Sequence, residues 1–241
     1  MIETISDFSA YLDKLCSNLN ISLTSEMLDL FYEYYNLLIE KNKSVNLTAI
    51  TKPEDVCLKH FFDSLSLTAF YDFTNTESII DVGSGGGFPG IPLKIFFPEK
   101  KIVLIDSLNK RVSFLNDTIR QLDLKNIIAV HGRAEDLGHD KNYREQFDLA
   151  VSRAVSNLST LSEYCLPFVK VGGSFVAYKS LELDNELDSS FNAIKSLGGI
   201  LKKPIYFDLD DYHRSFALIK KIESTSLKYP RKAGTPLKKP L

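Results

Sequence analysis

Hydrophobic positions in the first seventy residues recur at helical spacing. One helical segment begins near Thr24, whose hydroxyl is placed to cap it. A second segment follows Thr51-Lys52-Pro53-Glu54, which has the spacing of a capping box with proline in the first turn. We therefore predict a helical cap over residues 1–72 that packs against the rest of the chain. Its apolar positions are Met27, Leu28, Phe31, Tyr34, Tyr35 and Leu38 in the first segment and Val56, Leu58, Phe61, Phe62, Leu65 and Leu67 in the second.

From Ser78 onward the pattern changes to short apolar runs separated by helical stretches, which predicts a parallel sheet covered on both faces. A polar link, Asp210 to Arg214, lies between the last two runs and predicts an antiparallel final pair. We expect an α/β domain over residues 73–222 with a seven-stranded, mostly parallel sheet. The seven runs are Ile79–Val82, Ile102–Ile105, Ile127–Val130, Phe147–Val151, Ser174–Tyr178, Ile205–Leu209 and Ser215–Ile219.

The two ends of the chain differ in charge, although the formal net charge is only -2. Residues 1–40 carry seven acidic side chains and one lysine, whereas residues 220–239 carry seven basic side chains and one glutamate. Such a basic end suits phosphate contacts, and it equally suits a tail that keeps the protein soluble. We predict a basic tail over residues 223–241, whose final segment, residues 228–241, is extended on the surface, and a mobile loop over residues 138–146.

Composition excludes several classes of protein. The fractions of hydrophobic residues (44%) and charged residues (25%) are ordinary for a globular protein. No apolar stretch has the length of a membrane span and no signal peptide is visible, so we expect a cytoplasmic protein without a membrane partner. The three cysteines, Cys16, Cys57 and Cys165, lie far apart and are expected to be buried. Because the four histidines show no metal-ligand spacing, we expect no bound metal.

A glycine-rich turn directly after the first predicted strand carries the clearest chemical signal. Its sequence is Asp81-Val-Gly83-Ser-Gly85-Gly-Gly87-Phe-Pro-Gly90. Glycines let the backbone approach a ligand closely and adopt positive φ, and the helix that follows offers unpaired N–H groups. Gly85, Gly87 and Gly90 also satisfy the G-x-G-x-x-G spacing of nucleotide-binding folds. On the turn alone, NAD and S-adenosylmethionine are therefore both candidate ligands.

Three acidic features, in order along the chain, favour S-adenosylmethionine. Asp81, two residues before Gly83, gives the register of the first motif of class I methyltransferases, where an acidic side chain receives the methionyl ammonium. Asp106 ends the second strand, from which a carboxylate accepts hydrogen bonds from ribose hydroxyls; NAD enzymes share this feature. Glu135 and Asp136 follow the third strand, where a methyltransferase holds the adenine amine. The sequence thus predicts a Rossmann-like methyltransferase that uses S-adenosylmethionine.

Motifs that the sequence lacks restrict which atom of the substrate can accept the methyl group. The fourth strand is not followed by the Asn/Asp-Pro-Pro-aromatic turn of enzymes that methylate exocyclic amines, and Cys165 stands outside the usual context of a carbon-5 nucleophile. A ring nitrogen such as guanine N7 has an accessible lone pair and no proton to remove, so orientation suffices. We predict that Arg133, Lys179, Arg231 and Lys232 contact the substrate, and Arg133 is the one candidate that we retain for a catalytic role.

Several motifs together resemble the 16S rRNA guanine-N7 methyltransferase G family, also called glucose-inhibited division protein B. The resemblance spans nearly the whole chain. Its most specific parts are the glycine-rich turn continuing to Pro92 and the tail Arg231-Lys-Ala-Gly-Thr-Pro-Leu-Lys-Lys-Pro. The other motifs are Asn46-Leu-Thr-Ala-Ile-Thr51, His60-Phe-Phe-Asp63-Ser64-Leu65, Gly132-Arg-Ala-Glu135 and Ser152-Arg153-Ala154.

The resemblance implies an enzyme that methylates N7 of a guanine in 16S rRNA, at guanine 527, in the 30S subunit. We expect it to act as a monomer. Ser180, where the family commonly has glycine, and the longer loop over residues 138–146 depart from its pattern. The alternatives are a small-molecule methyltransferase and a non-catalytic RNA-binding module that retains the cofactor pocket. With the glycine-turn residues Asp81 and Gly85, the residues implied to line the cofactor site are Gly83, Phe88, Asp106, Ser107, Leu108, Ala134, Glu135 and Arg153.

Overall fold

The N-terminal region is helical, as predicted. A computed structural model describes residues 2–153, 156–180, 183–209 and 211–241; Ala154 of the Ser152-Arg153-Ala154 motif lies outside the described residues. One π-helical turn, Cys57–Phe62, joins two short helices, and the 3₁₀ turn Leu67–Ala69 follows. The helices of this region are α1 (Ile5–Ser17), α2 (Ser25–Asn42), α3 (Pro53–Val56) and α4 (Asp63–Ser66).

The helix caps confirm one prediction and correct another. The Thr24 side chain accepts a hydrogen bond from the backbone N–H of Met27 and caps α2, as predicted. The predicted capping box of Thr51 and Glu54 is wrong: α3 begins at Pro53, so Lys52 is the N-cap residue and makes no side-chain cap bond. The Glu54 carboxylate instead accepts a hydrogen bond from the N–H of Ile2 at 2.8 Å. Thr51 therefore lies one residue too early to cap the helix.

The central sheet has eight strands within the described residues, in the order β3-β2-β1-β4-β5-β8, with β6 and β7 both paired to the outer side of β8. The first five strands are parallel, and β8 runs antiparallel to β5 and to β7, which confirms the antiparallel final pair. The strands are β1 (Ser78–Val82), β2 (Lys101–Asp106), β3 (Ile127–His131), β4 (Phe147–Ser152), β5 (Val169–Lys179), β6 (Gly199–Leu201), β7 (Ile205–Leu209) and β8 (Tyr212–Lys221).

Two features of the sheet differ from the seven-strand prediction. Strand β6 was not predicted because three residues are too short to show an alternating pattern. Strand β8 begins at Tyr212, so the predicted polar link is shorter than expected; Asp210 lies outside the described residues. The chain reverses its strand order at β1, which pairs with β2 on one side and β4 on the other. Ligands of such sheets bind at the carboxyl ends of the strands at this point.

Helices cover both faces of the sheet. The N-terminal helices share one hydrophobic core with the sheet, in which Phe8 and Phe61 are buried together with Leu104 and Leu149. A second core on the opposite face includes Leu161 and residues of β4, β5 and β8. The domain boundary at residues 72 and 73 stays a prediction. The remaining helices are α5 (Gly90–Phe96), α6 (Asn109–Gln121), α7 (Ala134–Leu137), α8 (Leu158–Cys165), α9 (Asp184–Ser196) and α10 (Thr235–Lys238).

The C-terminal tail is not extended on the surface, which corrects the prediction. It contains the short helix α10, and its Tyr229 and Pro236 are buried. The Arg144 guanidinium ties it to the loop before β4, donating to the carbonyl of Tyr229 at 2.8 Å and to that of Thr225 at 2.6 Å. Prolines and lysines suggested a solvated segment, but these carbonyls find partners in the folded protein. Mobility of residues 138–146 stays a prediction.

The three cysteines are free and buried, as predicted. Within the residues that the structure describes, no helix has the length and apolar character needed to cross a membrane.

Candidate functional site

The glycine-rich turn leaves β1 with its backbone in the left-handed region. Gly83, Gly85 and Gly87 have φ values of 78°, 58° and 98°. The N–H groups of Gly83 and Ser84 both donate to the carbonyl of Ile105 in β2, which fixes the turn against the neighbouring strand. A Cβ on Gly87 would lie 2.5 Å from the Tyr34 hydroxyl, whereas one on Gly85 would meet only the Gly83 carbonyl at 3.9 Å. The side of the turn beside Gly85 is thus open to a ligand.

Side chains of the N-terminal helices pack against this turn and hold it in place. The Tyr34 hydroxyl in α2 donates a hydrogen bond to the carbonyl of Gly86. The Phe88 ring lies 5.4 Å from the Tyr34 ring and stacks on His60 at 4.4 Å, between ring centroids. The apolar stripe predicted on α2 is therefore in the core, and Tyr34 has the additional role of holding a backbone carbonyl of the turn.

Asp81 lies under the turn rather than in a cavity. Its side chain is fully buried, and Oδ2 accepts a hydrogen bond from the N–H of Gly90 at 2.9 Å. Oδ1 has no hydrogen-bond partner among the described residues. Burial raises the pKa of the Asp81 carboxyl group to about 7. This carboxyl group supports the start of α5, and its contact with a methionyl ammonium stays a prediction.

The raised pKa of Asp81 makes stability depend on pH. The folded protein binds this proton more tightly than the unfolded chain, so stability is lost as the pH rises from 3.8 through about 7. Between pH 6 and 8 we expect the wild type to lose roughly 1 kcal/mol of unfolding free energy that Asp81→Asn does not lose. Urea unfolding of both proteins measures this difference. His60 contributes equally to the pH dependence of both proteins, so its contribution cancels in the difference. If the unfolding free energies of wild type and Asp81→Asn depended equally on pH, the prediction would be contradicted.

A cavity of about 370 Å³ opens beside the turn, and we call it the glycine-turn cavity. Asp106, 3% exposed, stands in it with both carboxylate oxygens fixed by the backbone: Oδ2 accepts from Gly85 N at 2.9 Å and Oδ1 from Leu108 N at 2.8 Å. A carboxylate held in this way still has lone pairs for two hydroxyl donors. The cavity is lined by Val82, Gly83, Ile105, Asp106, Ser107, Gly132, Arg133, Ala134, Glu135, Ser152, Ser156, Leu161, Tyr164, Gly234 and Leu237.

Glu135 lies in the first turn of α7 and also lines the glycine-turn cavity. It is 8% exposed, and its Oε1 accepts a hydrogen bond from the N–H of Gly234 at 2.9 Å. Gly234 and Leu237 belong to the C-terminal tail, whose basic sequence predicted phosphate contacts or a solubilising segment and no place in the cofactor site. The tail is therefore part of the cavity wall, and no local sequence signal linked it to a position 99 residues earlier.

The predicted cofactor residues do not all lie at one cavity. Five of them, together with the predicted substrate residue Arg133, line the glycine-turn cavity, and Gly85 and Leu108 flank it through their bonds to Asp106. Asp81 and Phe88 lie outside its lining, and Arg153 lines a different cavity. The five are Gly83, Asp106, Ser107, Ala134 and Glu135.

That second cavity, about 670 Å³, lies at the carboxyl ends of β4 and β5, and we call it the arginine cavity. At its base Asp63, 1% exposed, binds two guanidinium groups. Arg214 Nε donates to Asp63 Oδ1 at 2.6 Å, and an Arg153 terminal nitrogen donates to Oδ2 at 3.0 Å. The lining residues are Ile50, Lys59, His60, Asp63, Arg153, Ser156, Asn157, Tyr178, Lys179, Ser180, Leu183, Glu186, Tyr212 and Arg214.

The arginine cavity has more basic than acidic side chains, with four and two respectively. Arg153 also lies 4.9 Å from the Phe88 ring centroid and 3.0 Å from His60 Nδ1. Burial, with the adjacent charge of Arg153, lowers the pKa of His60 to about 3, so the imidazole is neutral at physiological pH. The ammonium of Lys179 forms an ion pair with Glu186 at 2.7 Å. This positive excess suits a phosphate-bearing ligand.

Arg231 and Lys232, predicted to contact the substrate, have different surroundings. The Arg231 guanidinium is paired with the buried carboxylate of Glu163 at 2.7 Å, whereas Lys232 is exposed. Contact of either residue with RNA stays a prediction.

The two cavities share Ser156 in their linings. A carboxylate-lined pocket that suits a polyhydroxyl ligand thus adjoins a cationic cavity that suits a polyanion. Asp63, His60 and Arg214 were given no role by the sequence analysis, although His60 and Asp63 stood in a motif that carried the resemblance. Over the described part of the chain, no group of three or more His, Cys, Asp or Glu side chains is arranged to hold a metal ion.

Comparison with known sequences identifies the relatives of this chain. A family model described as rRNA small subunit methyltransferase G matches residues 27–206. The ribosomal RNA small subunit methyltransferase G of Brevibacillus brevis is 50% identical over 223 residues, 92% of this chain and 94% of the relative. The protein of the same name from Lachnoclostridium phytofermentans is 48% identical over 237 residues, 98% of each chain.

Two solved structures of low sequence identity have a similar fold. A putative O-methyltransferase from Klebsiella pneumoniae has a TM-score of 0.58 and 11% identity, over 92% of this chain and 100% of that one. TYW2 of M. jannaschii in complex with AdoMet has a TM-score of 0.54 and 15% identity, over 74% of this chain and 81% of that one. These similarities confirm the predicted Rossmann-like methyltransferase fold.

Proposed function

The chain belongs to the rRNA small subunit methyltransferase G family, and from that premise we propose that it methylates N7 of a guanine in 16S rRNA, with guanine 527 as the target. The methyl donor is S-adenosylmethionine. The observation that carries this proposal is the cationic arginine cavity, which adjoins the carboxylate-lined glycine-turn cavity at Ser156. The proposal includes the 30S subunit as partner, which the family implies, together with a monomeric protein and a cytoplasmic location.

The residues of the glycine-turn cavity fit S-adenosylmethionine. Asp106 offers a fixed carboxylate for the two ribose hydroxyls, and Glu135 offers one for the exocyclic amine of adenine. Gly83 and Gly85 leave room for close approach beside the turn. The cofactor supplies a methyl group already activated on a sulfonium, so the protein has chiefly to position donor and acceptor.

In the proposed reaction the arginine cavity holds the acceptor guanine. A bond from guanine N7 to the methyl carbon would form as the bond from that carbon to the sulfonium breaks, leaving a neutral thioether; N7 loses no proton, so no general base is required. The side chains of Arg153, Arg214 and Lys179 can donate hydrogen bonds but not accept them. They can therefore bind phosphate oxygens and guanine O6. A donor on N7 itself would block attack, so these groups must bind elsewhere on the nucleotide. Asp63 keeps the two guanidinium groups in place.

The state of Cys165 disfavours a carbon-5 mechanism. Its side chain is fully buried in α8, and burial raises the pKa of the thiol well above its usual range. We expect Cys165→Ala to retain the methylation rate of folded wild-type protein within about twofold, because a protonated, inaccessible thiol is no nucleophile. Single-turnover assays with matched amounts of folded protein measure this rate. A loss of a hundredfold or more would instead indicate a covalent intermediate.

The proposal is tested with labelled S-adenosylmethionine and 30S particles from cells that lack the activity. We expect label to enter 16S rRNA. Folded protein that binds S-adenosylmethionine and transfers no label to 16S rRNA would contradict the proposal. Transfer to a small molecule in the absence of RNA would favour the alternative of a small-molecule methyltransferase.

A further inference from the structure

The C-terminal segment over residues 229–241, which we call the C-terminal strap, lies against α7 and α8. Two of its residues, Gly234 and Leu237, form part of the wall of the glycine-turn cavity. The strap is distant in sequence from every other residue of that wall. Its docking on the domain therefore decides whether the cavity is complete.

Glu163 in α8 holds the strap at one point. Its carboxylate is fully buried and accepts hydrogen bonds from three nitrogens of Arg231: the backbone N–H at 2.7 Å, Nε at 2.9 and 3.1 Å, and a terminal nitrogen at 2.7 Å. The same guanidinium donates to the carbonyl of Lys239 at 2.7 Å, which closes the strap on itself. A buried carboxylate without a partner is unfavourable, so Glu163 strongly favours the docked strap.

Two further side chains of α8 hold the strap downstream of Arg231. The Thr160 hydroxyl donates to the carbonyl of Pro236 at 3.1 Å, and the Ser159 hydroxyl donates to the carbonyl of Leu241 at 2.8 Å. Helix α8 thus binds the strap through Glu163, Thr160 and Ser159. This arrangement places the segment between Arg231 and Pro236 over the cavity.

Gly234 connects the docked strap to a cavity side chain. It has a φ of 78° in the left-handed region, and from there its N–H donates to Oε1 of Glu135. In the proposed function, the carboxylate of Glu135 accepts a hydrogen bond from the exocyclic amine of adenine. Docking of the strap therefore both closes the cavity and orients one of its two carboxylates.

We propose that Glu163 is a positioning residue for the cofactor, acting through Arg231 to dock the C-terminal strap against Glu135. The inference rests on the proposed function for the identity of the cofactor. Because coupling between two equilibria is reciprocal, a strap that strengthens cofactor binding is itself held more tightly when the cofactor binds. Glu163 has this effect without contacting the cofactor.

Two variants of the full-length chain test the proposal by different routes. Arg231→Ala removes the side chain that Glu163 holds. Gly234→Pro leaves Glu163 and Arg231 intact but removes the N–H donor to Glu135 and forbids the positive φ. The control is Lys203→Ala, which removes one positive charge from an exposed site between β6 and β7. Calorimetric titration with S-adenosylmethionine, without RNA, gives the dissociation constant of each protein whose thermal unfolding lies above the assay temperature.

We expect Arg231→Ala and Gly234→Pro each to raise the dissociation constant about tenfold and Lys203→Ala to leave it unchanged. With 30S particles, the two variants are expected to raise KM for S-adenosylmethionine while kcat at saturating cofactor stays within about twofold of wild type. In the wild type, S-adenosylmethionine is expected to slow tryptic cleavage after Lys232 at least fivefold.

A dissociation constant equal to that of wild type in folded Gly234→Pro would overturn the inference. A rate of tryptic cleavage after Lys232 that is the same with and without S-adenosylmethionine would also overturn it. If Arg231→Ala fails to fold, Gly234→Pro decides the question. The result is independent of the acceptor: tight cofactor binding by wild type without methylation of 16S rRNA would contradict the proposed function and leave this test intact.

Discussion

Asp63→Ala is expected to lower the free energy of unfolding by about 3 to 5 kcal/mol, because it removes the shared partner of two largely buried guanidinium groups. Arg153 and Arg214 are 15% and 13% exposed, so water can replace little of the lost carboxylate. Both arginines would shift, and the arginine cavity would lose the geometry that we assign to guanine binding. Urea unfolding of wild type and variant measures the loss.

The matched control is Asp55→Ala, because Asp55 lies in the preceding helix α3. Asp55 also forms an ion pair, with Lys59 at 2.7 Å, but both side chains are about 40% exposed. An exposed pair of this kind contributes about 0 to 1 kcal/mol. If Asp63→Ala were as mild as Asp55→Ala, the two arginines would have sufficient other partners and the role given to Asp63 would be wrong. Methylation of 30S particles by the folded variants gives a second readout.

Asp106→Ala is expected to weaken S-adenosylmethionine binding by on the order of 1 to 3 kcal/mol, which corresponds to roughly 5-fold to 150-fold in the dissociation constant. The substitution leaves ribose hydroxyls without an acceptor. It also frees the N–H groups of Gly85 and Leu108, which Asp106 holds at 2.9 and 2.8 Å. Cofactor binding and the shape of the glycine-rich turn therefore depend on the same carboxylate.

Calorimetric titration measures the effect of Asp106→Ala. Asp117→Ala serves as control, because Asp117 lies on the exposed side of α6 in an ion pair with Arg120. We expect the control to bind with wild-type affinity. An unchanged dissociation constant in Asp106→Ala would remove Asp106 from the proposed cofactor site.

The sheet and the glycine-turn cavity were largely predictable because their signals are local. Each of the parallel strands contains a short apolar run; Asp106 ends one of these strands, and Glu135 lies a few residues after another. In a parallel sheet the carboxyl ends of neighbouring strands meet at one edge, so their order along the chain already predicts their proximity. Strand β6 lacked this signal because of its length, and α3 showed that a capping pattern can be displaced by one residue.

The arginine cavity and the strap depend on contacts between distant residues. Asp63 and Arg214 are 151 positions apart, and Glu163 and Arg231 are 68 apart. Each of these side chains, taken singly in the sequence, is indistinguishable from a solvated surface charge. The pairing of the Arg231 guanidinium with a buried carboxylate was therefore not predicted, and the contact of Arg231 with RNA stays a prediction. Only the packing of α4, α8 and β8 brings these charges together.

The central claim is tested most directly by locating the methyl group. After reaction of unmethylated 30S particles with the protein and S-adenosylmethionine, 16S rRNA is cleaved chemically at N7-methylguanine and the cleavage position is read by primer extension. We predict one new cleavage, at guanine 527, that depends on both protein and cofactor. Label incorporated into 16S rRNA without that cleavage would place the methyl group on another atom or nucleotide and contradict the account.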